Sequence, residues 1–339
     1  VTGIDHQEFI FMKKALAFII VLALLAGLLA GCGASTAPTP DGGARLRIVA
    51  TIFPAYDWVR QIVGNTQDVE LTMLLDDGVD LHSYQPTVDD IVKISECDMF
   101  LYVGGESDKW VRDALREATN KSMVVINLLE LLGDQVSREE LVEGMEAEEE
   151  DEDEGEDEDE IEYDEHVWLS LRRAETVCAA IAQALGELDA ENAPVYAANA
   201  GEYIEKLRSL DAEYAAAAEA AAFDTVLFGD RFPFRYLADD YGLRYYAAFA
   251  GCSAETEASF QTVVFLSAKV DELGLPAILQ LESSDGSIAR TIRDNTAGKN
   301  QQILVMDSMQ SATGADIEQG ATYLSVMENN LAVLMQALN

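Results

Sequence analysis

Residues 46–75 read LRIVATIFPAYDWVRQIVGNTQDVELTMLL, and three elements follow one another within them. Leu46 to Phe53 is a short apolar run suited to a buried strand, Tyr56 to Val63 reads as the helix after it, and Glu70 to Leu75 as the next strand. The pattern continues outward. Thr87 can cap a helix running to about Ser95, because its hydroxyl accepts an otherwise orphaned helix N–H and Asp89 and Asp90 suit the positive helix end. Met99 to Val103 is a strand, Lys109 to Ala118 a helix and Met123 to Leu128 another strand, so this half of the chain has strands short and apolar enough for a parallel sheet.

Leu171 to Leu188 and Val195 to Ala222 are rich in Ala, Leu and Glu at helical spacing, interrupted only around Asn192 to Pro194. The alternation then resumes with strands at Thr225 to Phe228, Arg244 to Ala248, Ala277 to Leu281 and Ile303 to Met306, and helices at Phe234 to Tyr241, Ser259 to Leu273, Ser287 to Asn295 and Thr322 to Leu338. The expected fold is α/β: two lobes, each a mostly parallel sheet flanked by helices, joined by one long rigid helix with a cleft between them. The expected divisions are an N-terminal lobe over 45–170, a helical connector over 171–222 and a C-terminal lobe over 223–339.

Lys13 and Lys14 precede an apolar run from Ala15 to Leu29, followed by Ala30, Gly31 and Cys32. A charged region, a short apolar region and small residues make residues 1–31 an export signal rather than a membrane span, with Met12 as its expected start. The Leu-Ala-Gly-Cys tetrad resembles a bacterial lipobox, which makes Cys32 the expected lipidation site and 32–44 a tether. The formal net charge of −40 argues against nucleic acid and favours cations. Much of it is local, since 16 of the 20 residues from Glu146 to Glu165 are Asp or Glu. An insertion over 134–163 is therefore expected to be disordered, serving solubility or a weak gathering of divalent cations. Cys97, Cys178 and Cys252 show no C-x-x-C spacing, and the first two read as buried thiols.

Beyond the leader the chain has two histidines, His82 in DDGVDLHSYQP directly after the second strand and His166 in DEHVWL directly after the acidic insertion. Asp307 follows the last strand in VMDSMQS, and FGDRFPFRYL follows the first strand of the second half. Ligands of α/β sheets collect at the carboxyl ends of strands, and two imidazoles with carboxylates at such ends point to a metal site.

These segments, with the opening ATIFPAYDWVRQIVG and the closing YLSVMENNL, resemble the substrate-binding lipoproteins of zinc and manganese ABC importers over nearly all of the chain past the leader. The resemblance implies two α/β lobes bridged by a long helix, a monomer anchored to the outer face of the cell membrane through its lipid, and delivery of metal to a permease and its ATPase. It makes His82 and His166 ligands and places Asp307 as the carboxylate near the C-terminus. At the third ligand position, aligned on Tyr236 and Leu237, stands Arg231, whose guanidinium has no lone pair to give. Asp230 serves if the strand end is shifted by one; Cys252 and Glu255 are other candidates, and Glu282 is expected to support the site by hydrogen bonding. Such a donor set suits zinc and also accepts manganese or iron. Two alternatives remain. One is an envelope metal-dependent hydrolase with Glu165 as base, without the H-E-x-x-H or G-x-S-x-G patterns that would favour it; the other is a metal-binding adhesin or metallochaperone.

Overall fold

The computed structural model describes residues 46–146, 162–253 and 257–339. The expected leader, Cys32, the tether, most of the acidic run and Glu255 lie outside these residues. In the first lobe β1 (Leu46–Ala50) leads into α1 (Phe53–Val63), where Pro54 occupies the first turn, the one place its missing N–H removes no helix bond. β2 (Val69–Met73) follows, then α2 (Val88–Glu96), β3 (Met99–Tyr102), α3 (Val111–Glu117), β4 (Val124–Asn127) and the short α4 (Leu128–Leu132). The expected cap of α2 is present in reciprocal form: Thr87 Oγ1 accepts the Asp90 N–H at 3.2 Å and Asp90 Oδ2 accepts the Thr87 N–H at 2.9 Å. All four strands are parallel in the order β2-β1-β3-β4.

The expected stiff connector is a hairpin of two helices, α5 (Leu171–Leu188) and α6 (Ala193–Ala220). Arg172 Nε meets Asp211 at 3.0 Å and Arg208 Nη2 meets Glu175 at 3.0 Å, pairs that fit only antiparallel helices. The reversal is built at Asp189, whose carboxylate accepts from Asn192 Nδ2 at 2.7 Å and from Tyr196 Oη at 2.8 Å. α6 alone, 28 residues and about 42 Å long at ~1.5 Å per residue, is the spine reaching both lobes. Tyr214 Oη donates to Met327 O in the second lobe at 2.6 Å.

The second lobe contains β5 (Thr225–Phe232), α7 (Arg235–Tyr241), β6 (Arg244–Ala250), α8 (Phe260–Leu273), β7 (Ala277–Leu281), α9 (Ser287–Asn295), β8 (Gln302–Met306), α10 (Gly314–Glu318) and α11 (Tyr323–Ala337). Its strands, again all parallel, run β6-β5-β7-β8, the order of the first lobe. β5 extends four residues past the expected Phe228, with a register shift against β6 between Phe228 and Arg231. A shift of this kind bends a strand and re-aims its side chains. Gly229 permits it: a Cβ there would lie 2.6 Å from the Ala289 Cα of α9.

One continuous core joins the inner faces of both sheets to α5 and α6, and a smaller one lies under α8 and α9. The lobes are also pinned together by fully buried Asp57. Its carboxylate accepts the Tyr323 N–H at 2.7 Å and pairs with Arg60 at 2.6 Å, while Arg60 Nη2 also donates to Ala321 O at 2.8 Å. The insertion departs from the expected disorder at its stem. Residues 137–146 cross to the second lobe, where the Glu146 N–H donates to Ala248 O at 3.0 Å and Glu140 pairs with Arg235 at 2.8 Å. The reason is composition: Val136 and Met145 pack against the core, and the unbroken acidic run begins only after them.

Candidate metal centre

The loops at the carboxyl ends of both sheets meet in the cleft. His82 sits in a 3-10 turn, Leu81–Ser83, started by Asp80, whose carboxylate accepts the His82 N–H at 3.0 Å. His82 Nδ1 lies 2.7 Å from Ser107 Oγ, in the loop after β3, and 3.6 Å from Glu165 Oε2. His166 is fully buried just before the 3-10 turn Val167–Leu169. Asp164 Oδ1 accepts both its backbone N–H and its Nδ1–H, each at 2.9 Å. The Asp164 loop is fixed from the second lobe, since Tyr236 Oη donates to Asp164 O at 2.7 Å and Trp168 Nε1 donates to Ser308 O at 2.9 Å.

With both Nδ1 atoms turned to oxygen partners, both Nε2 atoms face one point and stand 3.3 Å apart. Two nitrogens each ~2.05 Å from a tetrahedral ion are separated by ~3.3 Å, so the imidazoles already span the bite of a zinc site. Hydrogen bonds on the far nitrogen that fix tautomer and orientation are the usual support of metal-binding histidines. Electrostatics separate the pair. Burial and then the neighbouring His166 push His82 down to about 3, so it is neutral with a free lone pair. Burial opposes charge on His166 as well, yet Asp164 at 2.9 Å outweighs it and the net shift is upward. The two Nε2 atoms are close enough to share one hydrogen bond, whose donor is set by the tautomers of the two rings.

One ligand atom from each of His82, His166 and Cys252 lies within 4.8 Å of the other two. Asp230 and Asp307, both expected at the site, are outside this group. Asp230 is turned into its own lobe: Oδ1 accepts the Arg231 N–H at 2.9 Å and Oδ2 the Leu281 N–H at 3.2 Å. The register shift in β5 sends the Arg231 side chain into the cleft instead, where Nη2 binds Asp80 of the first lobe at 2.7 Å. Asp307 is held at the end of β8, with Oδ1 accepting the Met309 N–H at 2.7 Å and its carboxyl pushed up to about 6 by burial and by nearby Glu282. Glu282 accepts from Ser308 N–H at 2.8 Å, Ser308 Oγ at 2.8 Å and Ser311 Oγ at 3.1 Å, so it shapes the Asp307 loop.

A family model described as zinc-uptake complex component A, periplasmic, matches residues 48–337. The chain belongs to this family. It is 32% identical over 325 residues to the zinc-binding lipoprotein AdcA of Streptococcus pneumoniae, covering 96% of this chain and 61% of that protein. It is 31% identical to the high-affinity zinc uptake system protein ZnuA of Bacillus subtilis, covering 97% of this chain and 98% of that one. The chain thus spans about three fifths of the AdcA relative and nearly all of the ZnuA relative. Among solved structures, the Zn(II)-bound ZnuA-like domain of S. pneumoniae AdcA aligns with a TM-score of 0.66 at 28% identity, covering 87% of this chain and 99% of that domain. The B. subtilis metal-dependent lipoprotein YcdH aligns at 0.69 and 26% identity, covering 86% and 99%.

Two contributors were not legible as such in the sequence. Glu139, from the stem of the insertion, accepts the Cys252 N–H at 3.1 Å, although 113 residues separate them. Asp80 is one of three carboxylates in DDGVDLHSYQP, and only the fold pairs it with Arg231. Local signals for both are weak, because each depends on which lobe lies opposite.

Proposed function

We propose that this chain captures a divalent transition metal, zinc above all, outside the cytoplasm and delivers it to an ABC permease and its ATPase. The observation that carries the reading is the 3.3 Å approach of the His82 and His166 Nε2 atoms, with both opposite nitrogens held by oxygen partners. Zinc, whose tetrahedral bonds fit that spacing, ranks ahead of manganese and iron. Asp307 is the carboxylate that joins from the second lobe on loading. Zinc binding in the names of the two relatives, and their coverage of this chain, support the same reading. The Leu29 to Cys32 tetrad supports a lipid anchor at Cys32 on the outer face of the cell membrane. The lobes act as 45–170 and 223–339, with 171–222 between them.

A hydrolytic role is disfavoured by Glu165, the expected base. Its Oε1 accepts the Ser107 N–H at 3.0 Å and its Oε2 lies 3.6 Å from His82 Nδ1, behind the ring rather than on the Nε2 side where a metal-bound water would stand. The reading is tested by zinc titration of the protein and of His82→Ala and His166→Ala. Tight binding of about one zinc should be lost in both variants; retention of that binding in the double variant would overturn the assignment.

A further inference from the structure

The third ligand position of this cleft holds a cation, Arg231, so any second-lobe donor beyond Asp307 must come from another segment. Arg231 is anchored to Asp80 at 2.7 Å and its Nη1 donates to Ser253 O at 3.4 Å, which ties the loop after β6 to the same corner. That loop carries Cys252. The backbone just before it runs against the His166 ring: a Cβ on Gly251 would lie 3.1 Å from both Nδ1 and Cε1 of His166 and 2.9 Å from Phe232 O. Only glycine allows so close a pass, and the Cys252 N–H is then fixed by Glu139 at 3.1 Å. The other two described cysteines, Cys97 and Cys178, are buried in the core away from the cleft.

We propose that Cys252 Sγ is the third ligand, so that with His82, His166 and Asp307 the capture site is a two-imidazole, one-thiolate, one-carboxylate centre that selects zinc over manganese. The proposal rests on the histidine reading above and deepens it. As the sulfur–metal bond forms, the thiol proton leaves to solvent and the sulfur lone pair is donated to the ion. Bond lengths of ~2.05 Å to nitrogen and ~2.3 Å to sulfur put a tetrahedral N···S separation at ~3.6 Å, within the 4.8 Å that encloses the three atoms. A thiolate is a soft donor that manganese uses poorly and zinc uses well.

The test is cobalt(II) loading of the full chain, read by its near-ultraviolet absorption, beside zinc and manganese affinities of the protein and of Cys252→Ser. The expected result is a thiolate-to-cobalt charge-transfer band that Cys252→Ser abolishes. Zinc affinity in that variant should fall at least about tenfold, the loss that even outer partners of a ligand can cause, with a smaller change for manganese. Cobalt loading without the band in the unaltered protein, or an unchanged zinc-to-manganese ratio in Cys252→Ser, overturns the proposal. If either result comes with loss of zinc in His166→Ala, the histidine reading stands alone. If His166→Ala also keeps zinc, both fall.

Discussion

Asp164→Asn removes one charge from beside His166 and almost nothing from its shape. In the native protein Asp164 Oδ1 holds both the backbone N–H and the Nδ1–H of His166 at 2.9 Å, and both residues are almost completely buried. Losing the charge has two consequences of opposite sign. Zinc affinity at high pH should fall about 10–100-fold, or ~1.4–2.7 kcal/mol, because the ring is less basic and its tautomer less firmly set. Proton competition should also fall. Asp164 raises His166 above its ordinary value, so the native protein must expel a proton to bind zinc at pH values just above ~6.5, whereas the variant must do so only at lower pH. Native affinity therefore climbs with pH over a range where the variant's is already flat. Metal-free stability carries the same signature. The stabilisation from a raised histidine is fully present below ~6.5, its unfolded value, and is lost as pH rises through the folded value. The native advantage over the variant in denaturant midpoint should thus shrink as pH rises from 6 to 9. The assay is competition with a chromophoric chelator across that range, beside urea unfolding of the metal-free proteins. Identical zinc affinities and parallel pH profiles for the two proteins would refute the role given to Asp164.

Arg231→Ala and Asp80→Ala remove the two halves of a partly buried bridge between lobes, with side chains 16% and 22% exposed. A double-mutant cycle should show coupling of about 0.5–2 kcal/mol that weakens with added salt; no coupling in unfolding or zinc affinity would mean that the contact does not join the lobes in solution. Gly229→Ala drives a Cβ to 2.6 Å from the Ala289 Cα and should destabilise by about 1–3 kcal/mol, read as a lower urea midpoint; an unchanged midpoint would show that α9 can move aside.

How much of this was legible in sequence differs by element. The strands and most helices stand within a few residues of where hydrophobic spacing put them, because strand burial and helix periodicity are local properties. The Thr87 cap was legible for the same reason, being complete within four residues. The long connecting helix, α6, is legible from its helical spacing, whereas the fold-back that precedes it is not. Whether two helical stretches continue or fold back turned on four residues, Asp189 to Asn192, whose hydrogen bonds make the reversal. The stem of the insertion was read with its acidic run, although Val136 and Met145 find cover on the core.

The two histidines and their motifs were determined by the sequence alone, since each motif is local and each adjoins an element with a clear period, His82 after β2 and His166 before α5. Their convergence was decided only by the tertiary structure. His82 and His166 are 84 residues apart, and their Nε2 atoms meet because Ser107 and Asp164 turn the rings toward one another. The contribution of the second lobe was further out of reach. A one-residue irregularity in β5 turns Asp230 inward and Arg231 into the cleft, and Gly251 lets Cys252 approach His166. Side-chain direction reverses with each residue of a strand, so a shift of one residue exchanges which side chain faces the cleft, and only the packing of the neighbouring elements selects between the two.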